Sequence, residues 1–428
     1  MSEVSLEDIV SLCKRRGFIF QGSEIYGGLA GTWDYGPLGV QLKKNLTDLW
    51  WKTFVESRED MVGVDAAILM NPKTWQASGH VDTFTDPLVE CTECRGRFRA
   101  DHLEGSKCPN CGKENTMSEP RAFNMMFKTA VGPVDDGESV SYLRPETAQG
   151  IFTNFKNVVD TLYPDVPFGI AQIGKAFRNE ISPRDFVFRS REFNQMEIEY
   201  FVHENDWQNK FEHWRTDIKA FLAQAGVDTD KVTELEVPED DLAHYSKRTI
   251  DYEFEYPHGK DELLGLAYRT DFDLQNVARE SGKNVEYRPK DGGSAYVPHV
   301  IEPSFGVERL VMAVLVSNYK VDEQNGEQRV YLSLPEHIAP VRYAVSPLLK
   351  NKPELVDKAR EVYKMLKTKY GNVMWDDNGN IGKRYRRQDE IGTPYCVVVD
   401  FDTIEKDGLV TVRNRDTLEQ TRVKPEDI

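Results

Sequence analysis

No apolar run among the 428 residues approaches the roughly 20 needed to cross a bilayer. The opening stretch, MSEVSLEDIVSLCKRRGF, carries charges throughout and lacks the apolar segment of a secretory signal. Together these absences predict a cytoplasmic protein with no membrane partner. Positive charge is short as well: 54 Lys and Arg against 71 Asp and Glu leave a net charge of -17. That balance argues against a protein that coats DNA or RNA, and leaves room for one specific RNA partner held by a local basic surface. No GxxxxGK[ST] loop is present, so a Walker-type phosphate cradle is excluded. No Ser-His or Cys-His constellation demands a covalent nucleophile. Cysteine is scarce, and four of the six fall in two CxxC pairs, which points to a metal rather than to disulfides.

Those four are Cys91-x2-Cys94, then thirteen residues, then Cys108-x2-Cys111. Paired thiolate turns at that spacing predict a closed, tetrahedral, structural zinc site. Four protein ligands leave no open position for catalysis. Arg95, Arg97, Arg99 and Lys107 sit among them, either as RNA contacts or as ordinary solvated charge. The remaining composition, 39% hydrophobic and 29% charged, suits a globular chain of two or three domains.

The chain is organised around Phe177 to Phe201, FRNEISPRDFVFRSREFNQMEIEYF. Two alternating segments flank Ser182-Pro183-Arg184-Asp185, which predicts an antiparallel hairpin. Arg178 and Glu180 are expected on one face of the first strand. In the second, Phe193, Gln195, Glu197 and Glu199 share one face, while Met196, Ile198 and Tyr200 face the core. A guanidinium, carboxylates and a ring on one open platform suit a nucleotide. A solvated, salt-bridged strand pair is the competing reading.

Residues 5 to 17 read as a helix stopped by Gly17, with Cys13 a small buried residue. A Gly-rich turn region leads into a helix from about Gly39 to Ser57. It presents Leu42, Leu46, Leu49 and Phe54, and its aromatic face would seek a partner if exposed. Val62 to Met70 reads as a strand ending at Asn71-Pro72. Ser139 to Gln149 reads as a strand and a helix start, with Glu146 in the first turn. A helix at 205 to 224 carries a Trp207, Phe211, Trp214, Ile218, Phe221 stripe. Two strands and a helix fill 251 to 274. At Val297 to Tyr319, Glu302 and Ser304 share a strand face. A helix follows from Gly306, with Arg309 in its first turn, where free N–H groups favour phosphate; pairing with a nearby carboxylate is the alternative. Past a linker at Leu334 to Pro340, a β-α-β-β pattern predicts a small α/β domain. Its KRYRRQDE run, 383 to 390, is the strongest local basic patch.

The aromatic-Arg-x-Glu strand, variable loop and Phe-bearing strand resemble motif 2 of class II aminoacyl-tRNA synthetases. The helix and strand before Pro72 resemble motif 1, and SFGVERL resembles motif 3. FRNE through FRSREFNQMEIE, with RPETAQG, ELLGLAYRTDFDL and IGKRYRRQDEIGTPYC, is similar to the dimeric glycyl-tRNA synthetases in particular. Ala267-Tyr268-Arg269 stands where many relatives have Ala-Asp-Arg. The resemblance implies an α+β fold: an antiparallel sheet flanked by helices over 1–334, a zinc ribbon inserted at about 88–115, and a mixed α/β anticodon-binding domain over 335–428. It implies a homodimer that uses glycine, ATP with Mg2+, and tRNA(Gly), with no DNA partner. Catalysis would rest on Arg178, Glu180 and Arg309. Glycine would meet Arg99, Glu146, the run Phe193, Asn194, Gln195, Met196 and Glu197, Arg269, and the run Glu302, Pro303, Ser304, Phe305 and Gly306. ATP would meet Arg178, Asn179 and Glu180, the run Phe188, Arg189, Ser190, Arg191, Glu192 and Phe193, then Glu262 and Leu263, and Gly306, Val307, Glu308 and Arg309. A class II enzyme for another small amino acid, a non-catalytic relative and a zinc-ribbon nucleic-acid module are the alternatives.

Overall fold

The computed structural model describes residues 4–103, 105–133, 140–324 and 326–428. The chain start at Met1 and the expected strand start at Ser139 lie outside the described residues. The helix Leu6–Arg16 begins with a reciprocal capping box between Ser5 and Asp8 and ends at Gly17, whose φ of 75° suits a residue without Cβ. Cys13 is buried in the core, and burial pushes its thiol up to about 12.

The next helix, Pro37–Trp51, starts earlier than expected and widens into a π-type turn over Lys52–Glu56. Gly39 is required there, because a Cβ would meet the Phe18 carbonyl oxygen at 1.8 Å. Leu42, Leu46, Trp50 and Phe54 all join the core. These apolar side chains of the helix are therefore buried within the chain.

The central sheet has seven strands, in the order Val232–Glu236, Arg248–Tyr256, Gly259–Thr270, His299–Gly306, Glu192–Val202, Phe168–Phe177, Met61–Gly63. All neighbours are antiparallel except Met61–Gly63, which runs parallel to Phe168–Phe177. The strand expected over 62 to 70 is thus cut to three residues. Past it, the Ala66 carbonyl accepts from the Arg144 side chain, and Asn71 caps the helix Pro72–Ala77. One sheet face packs against Pro37–Trp51, Trp207–Gln224 and Val307–Asn318. There Phe54 lies 5.6 Å from Trp214 and 5.8 Å from Phe305, ring to ring. The other face packs against Ala148–Leu162 and Phe272–Ser281, where the Phe155 ring lies tilted 4.5 Å from that of Phe201. Each large side chain so buried contributes roughly 1.5–3 kcal/mol.

A three-stranded sheet, Arg97–Arg99, Thr85–Glu90 and Arg121–Asn124, adjoins the cysteine turns. The C-terminal region has its own five-stranded sheet, ordered Val373–Trp375, Tyr343–Pro347, Tyr395–Val399, Val410–Asn414, Gln420–Val423, and its own core. The helix Pro353–Tyr370 is the α of the expected β-α-β-β pattern. The strand Val373–Trp375 and the helix Ile381–Glu390 were not anticipated.

That helix corrects the reading of KRYRR as a basic patch. Arg384 is buried and donates to the Gly379 and Pro347 carbonyls. Arg387 pairs with Asp376 at 2.7 Å, and Arg386 pairs with Glu327. Lys383 alone of the four remains without a carboxylate or carbonyl partner among the described residues. The segment Leu334 to Pro340 is no loose linker either: Ile338 and Ala339 are buried, and their carbonyls accept from Asn45.

Candidate functional site

The expected hairpin forms between Phe168–Phe177 and Glu192–Val202, but its first strand stops at Phe177. Arg178, Asn179 and Glu180 lie beyond the ladder, so Arg178 and Glu180 do not share a strand face. The Glu180 N–H turns back to the Arg178 carbonyl at 2.7 Å. Arg191 fixes this turn: its guanidinium donates to the Glu180 carbonyl at 3.0 Å and to the Ala30 carbonyl at 2.8 Å. Arg191 is therefore a brace here. Arg178 is aimed by a bond from Nε to the Pro145 carbonyl at 3.1 Å. Its guanidinium lies 5.2 Å from the Phe193 ring and 5.5 Å from that of Phe84.

Above these groups is a cavity of about 480 Å³. One set of its walls suits a nucleotide: Arg178, Glu180, Phe188, Arg189, Ser190, Phe193, Glu262, Leu263, Gly306, Glu308 and Arg309. Arg309 sits in the first turn of Val307–Asn318, pairs with Glu262 at 3.1 Å and lies 4.5 Å over the Phe188 ring. Both readings of Arg309 are thus met: it pairs with a carboxylate and still faces the cavity. Glu180 is buried, and among the described residues its Oε2 has no hydrogen-bond partner and its nearest cation is Arg189 at 3.9 Å. Such an acceptor awaits a donor.

The second set is acidic: Glu146, Gln195, Glu197, Glu302 and Ser304. Glu197 accepts from Ser304 Oγ at 2.8 Å and from the hydroxyl of Thr147. Glu302 accepts from Arg269 at 2.7 Å. Arg269 is itself buried, held bidentately by Asp273 at 2.8 and 2.9 Å with the Tyr245 ring 3.8 Å away. Glu146 is not in a helix turn as expected. The helix starts at Ala148, and Glu146 instead pairs with His80 at 3.3 Å. Burial opposes its ionisation, but His80, Arg269 and Arg178 hold its carboxyl down at about 2. Burial pushes Glu302 well above the usual range; Arg269 pulls it back and Glu197 pushes it up again. Neighbouring cations thus favour the ionised form of Glu146, while burial opposes that of Glu302.

Other expected contacts lie off this surface. Asn194 points to the opposite sheet face, where its backbone and side chain donate to Glu308 at 2.7 and 2.8 Å. Met196, Phe305 and Val307 belong to the core, and Pro303 shares their face. Glu192 is exposed and paired with Lys175. Asn179 donates its N–H to the Met125 carbonyl. Arg269 stands behind Glu302 rather than on the cavity wall. Arg99 lines the cavity, but Asp86 and Asp101 hold it at 2.8 and 2.7 Å. Five contributors went unread in the sequence: His80, Thr147, Tyr245, Asp251 and Asp273. Thr147 lies inside RPETAQG, and Asp273 follows Arg269 at a four-residue step, so a signal existed for these two. His80, Tyr245 and Asp251 carry none.

The four thiols converge as expected. Cys91 and Cys111 sulfurs are 3.8 Å apart, Cys94 and Cys108 sulfurs 3.7 Å, and all four lie within 4.8 Å of one another. A zinc tetrahedron with Zn–S of about 2.3 Å has edges of about 3.8 Å, so this donor set fits the ion.

An antiparallel sheet with an arginine on a motif-2 turn and another on a helix start defines a class II aminoacyl-tRNA synthetase core. The family models agree: tRNA synthetase class II core domain (G, H, P, S and T) over residues 127–319, and anticodon binding domain over 343–428. The fold is similar to that of Giardia lamblia prolyl-tRNA synthetase, solved in complex with prolyl-adenylate. The TM-score is 0.70 at 15% identity, covering 99% of this chain and 75% of that one. The glycine–tRNA ligase of Treponema denticola is 49% identical over 98% of this chain and 95% of its own. That of Clostridium acetobutylicum is 48% identical over 100% and 97%. The chain belongs to the glycine–tRNA ligase family.

Proposed function

We propose that the acidic pocket takes the amino group of glycine and that the arginine-lined part of the cavity takes ATP. The protein attaches glycine to its tRNA in two steps. The glycine carboxylate attacks the α-phosphorus of ATP, forming glycyl-adenylate and expelling pyrophosphate. The terminal ribose hydroxyl of tRNA then attacks the acyl carbon and releases AMP. One observation carries the assignment of the site: carboxylates for an ammonium and arginines for phosphates meet in a single cavity. Arg178 would stabilise charge that develops on the α-phosphate. Arg309 would hold the far phosphates, and Phe193 would stack on adenine. The unpartnered Glu180 oxygen would accept from the adenine amino group. Glycine has no side chain to grip, so selectivity would come from walls that exclude larger residues. Glycine-dependent ATP–pyrophosphate exchange tests this reading. It should vanish without glycine and should not be supported by alanine.

Magnesium would accompany the phosphates, near the carboxylates of Glu262 and Asp251, and supply neutralising charge there. Zinc in the four-cysteine site would hold residues 88 to 115 as a ribbon. Metal analysis should find one zinc per chain, lost in Cys94→Ser together with the order of that segment. We place the catalytic domain at 1–334 and the anticodon-binding domain at 335–428, in a cytoplasmic homodimer. No described helix is long and apolar enough to cross a membrane.

A further inference from the structure

One step along the strand from Glu197, Glu199 is fully buried, and neither carboxylate oxygen has a hydrogen-bond partner among the described residues. It does not line the cavity, and on its own side of the sheet the Ala148–Leu162 helix packs against the same strand. One of its oxygens lies in a group with one oxygen each of Glu197 and Glu302, the three within 4.8 Å of one another. The charged groups acting on it are Glu302 on the adjacent strand, Arg269 on the next, Glu197 on its own and Asp273 on the Phe272–Ser281 helix. Arg269 spends its guanidinium on Asp273 and Glu302. Glu199 therefore faces acceptors and has no donor of its own. A buried carboxylate in that position is costly, whereas a carboxylic acid turns one acceptor into a donor.

The two neighbours differ in how they are held. Glu197 receives Ser304 on one oxygen and Thr147 on the other. Glu302 is held through one oxygen only, by Arg269. We propose that Glu199 is a positioning residue that carries a proton and donates it to Glu302, aiming that carboxylate at the amino group of glycine. It touches no substrate. The inference rests on the glycine reading given above. It adds that the pocket's net charge is set by a proton stored behind it.

Three variants test it. Infrared difference spectra of the wild-type protein against E199Q at neutral pH should show loss of a protonated carboxyl band. E199L, which has no donor, should raise the glycine KM about tenfold or more, the worth of one hydrogen bond to a charged group, and leave the ATP KM unmoved. E199Q keeps a donor in place and should restore most of the glycine affinity. Absence of the protonated band overturns the proposal, and so does a glycine KM raised equally by E199Q and a folded E199L. Should E199L fail to fold, the infrared comparison still decides. E197Q separates the two layers: an unchanged glycine KM there overturns the glycine site itself, whereas a raised one leaves only Glu199 in question.

Discussion

Two helices of this chain carry an arginine close to the start, and the fold uses them oppositely. Arg309, on Val307–Asn318, pairs with Glu262 and still borders the cavity with 23% of its side chain exposed. Arg384, on Ile381–Glu390, is 2% exposed, and its bonds go to backbone carbonyls. Local sequence is similarly promising in both. Each lies close to a helix start, with its free N–H groups and dipole. What differs is whether a neighbouring strand leaves space in front of the guanidinium. Around Arg309 the sheet opens into the cavity. Around Arg384 the Tyr343–Pro347 strand closes over it. Clustered charge in a sequence therefore shows that partners exist; it does not say whether they belong to the protein or to a ligand.

The largest expected effect probes the closed side. Asp389 receives both arms of Arg413 at 2.7 and 2.9 Å and Arg329 at 3.2 Å, all buried. Asp389→Ala strands the buried Arg413 guanidinium, while Arg329 keeps Asp322, and should cost about 3–5 kcal/mol, read from urea unfolding. An unmoved midpoint would mean that the C-terminal charges are solvated after all. Next comes the open side. Arg178→Ala should lower kcat for pyrophosphate exchange by about 100-fold or more with no loss of fold, as for removal of one preorganised donor. Near wild-type exchange would sink the phosphate assignment.

Arg384→Ala and Lys383→Ala sharpen the contrast within one helix. The first should cost about 1–3 kcal/mol of stability, since the buried Pro347 carbonyl loses its donor. The second should leave stability alone. If that surface meets tRNA, Lys383→Ala should reduce the salt slope of binding by about 1. Reversed outcomes would restore KRYRR as a patch.

The smallest effect concerns Asp251, on the cavity wall. Burial, then repulsion from Glu262 and Glu253, raises its carboxyl to about 6. A folded-state value above the unfolded one means its contribution to stability is complete below about pH 4 and lost as pH rises through 6. Asp251→Asn should therefore be more stable than wild type at pH 7, by about 1 kcal/mol after solvent screening, and indistinguishable near pH 4. Equal stabilities at both pH values would show that Asp251 is already neutralised.

Periodicity and short-range spacing were enough to determine much of this protein. The helices at 6–16, 207–224 and 353–370, the strand pair around the Arg178 turn, and the Cys91, Cys94, Cys108 and Cys111 set all follow from residues close in the chain. The motif strings carried the family because they are long and ordered. Tertiary structure alone decided the rest. It ended the first motif strand at Phe177, left two residues of the expected 62–70 strand, and turned Asn194 away from the cavity. It also brought His80 to Glu146 and Asp389 to Arg413, pairs with no local signature. The reason is physical. A backbone pattern repeats over a few residues and is written locally, whereas the fate of a charge depends on which distant groups share its low-dielectric surroundings.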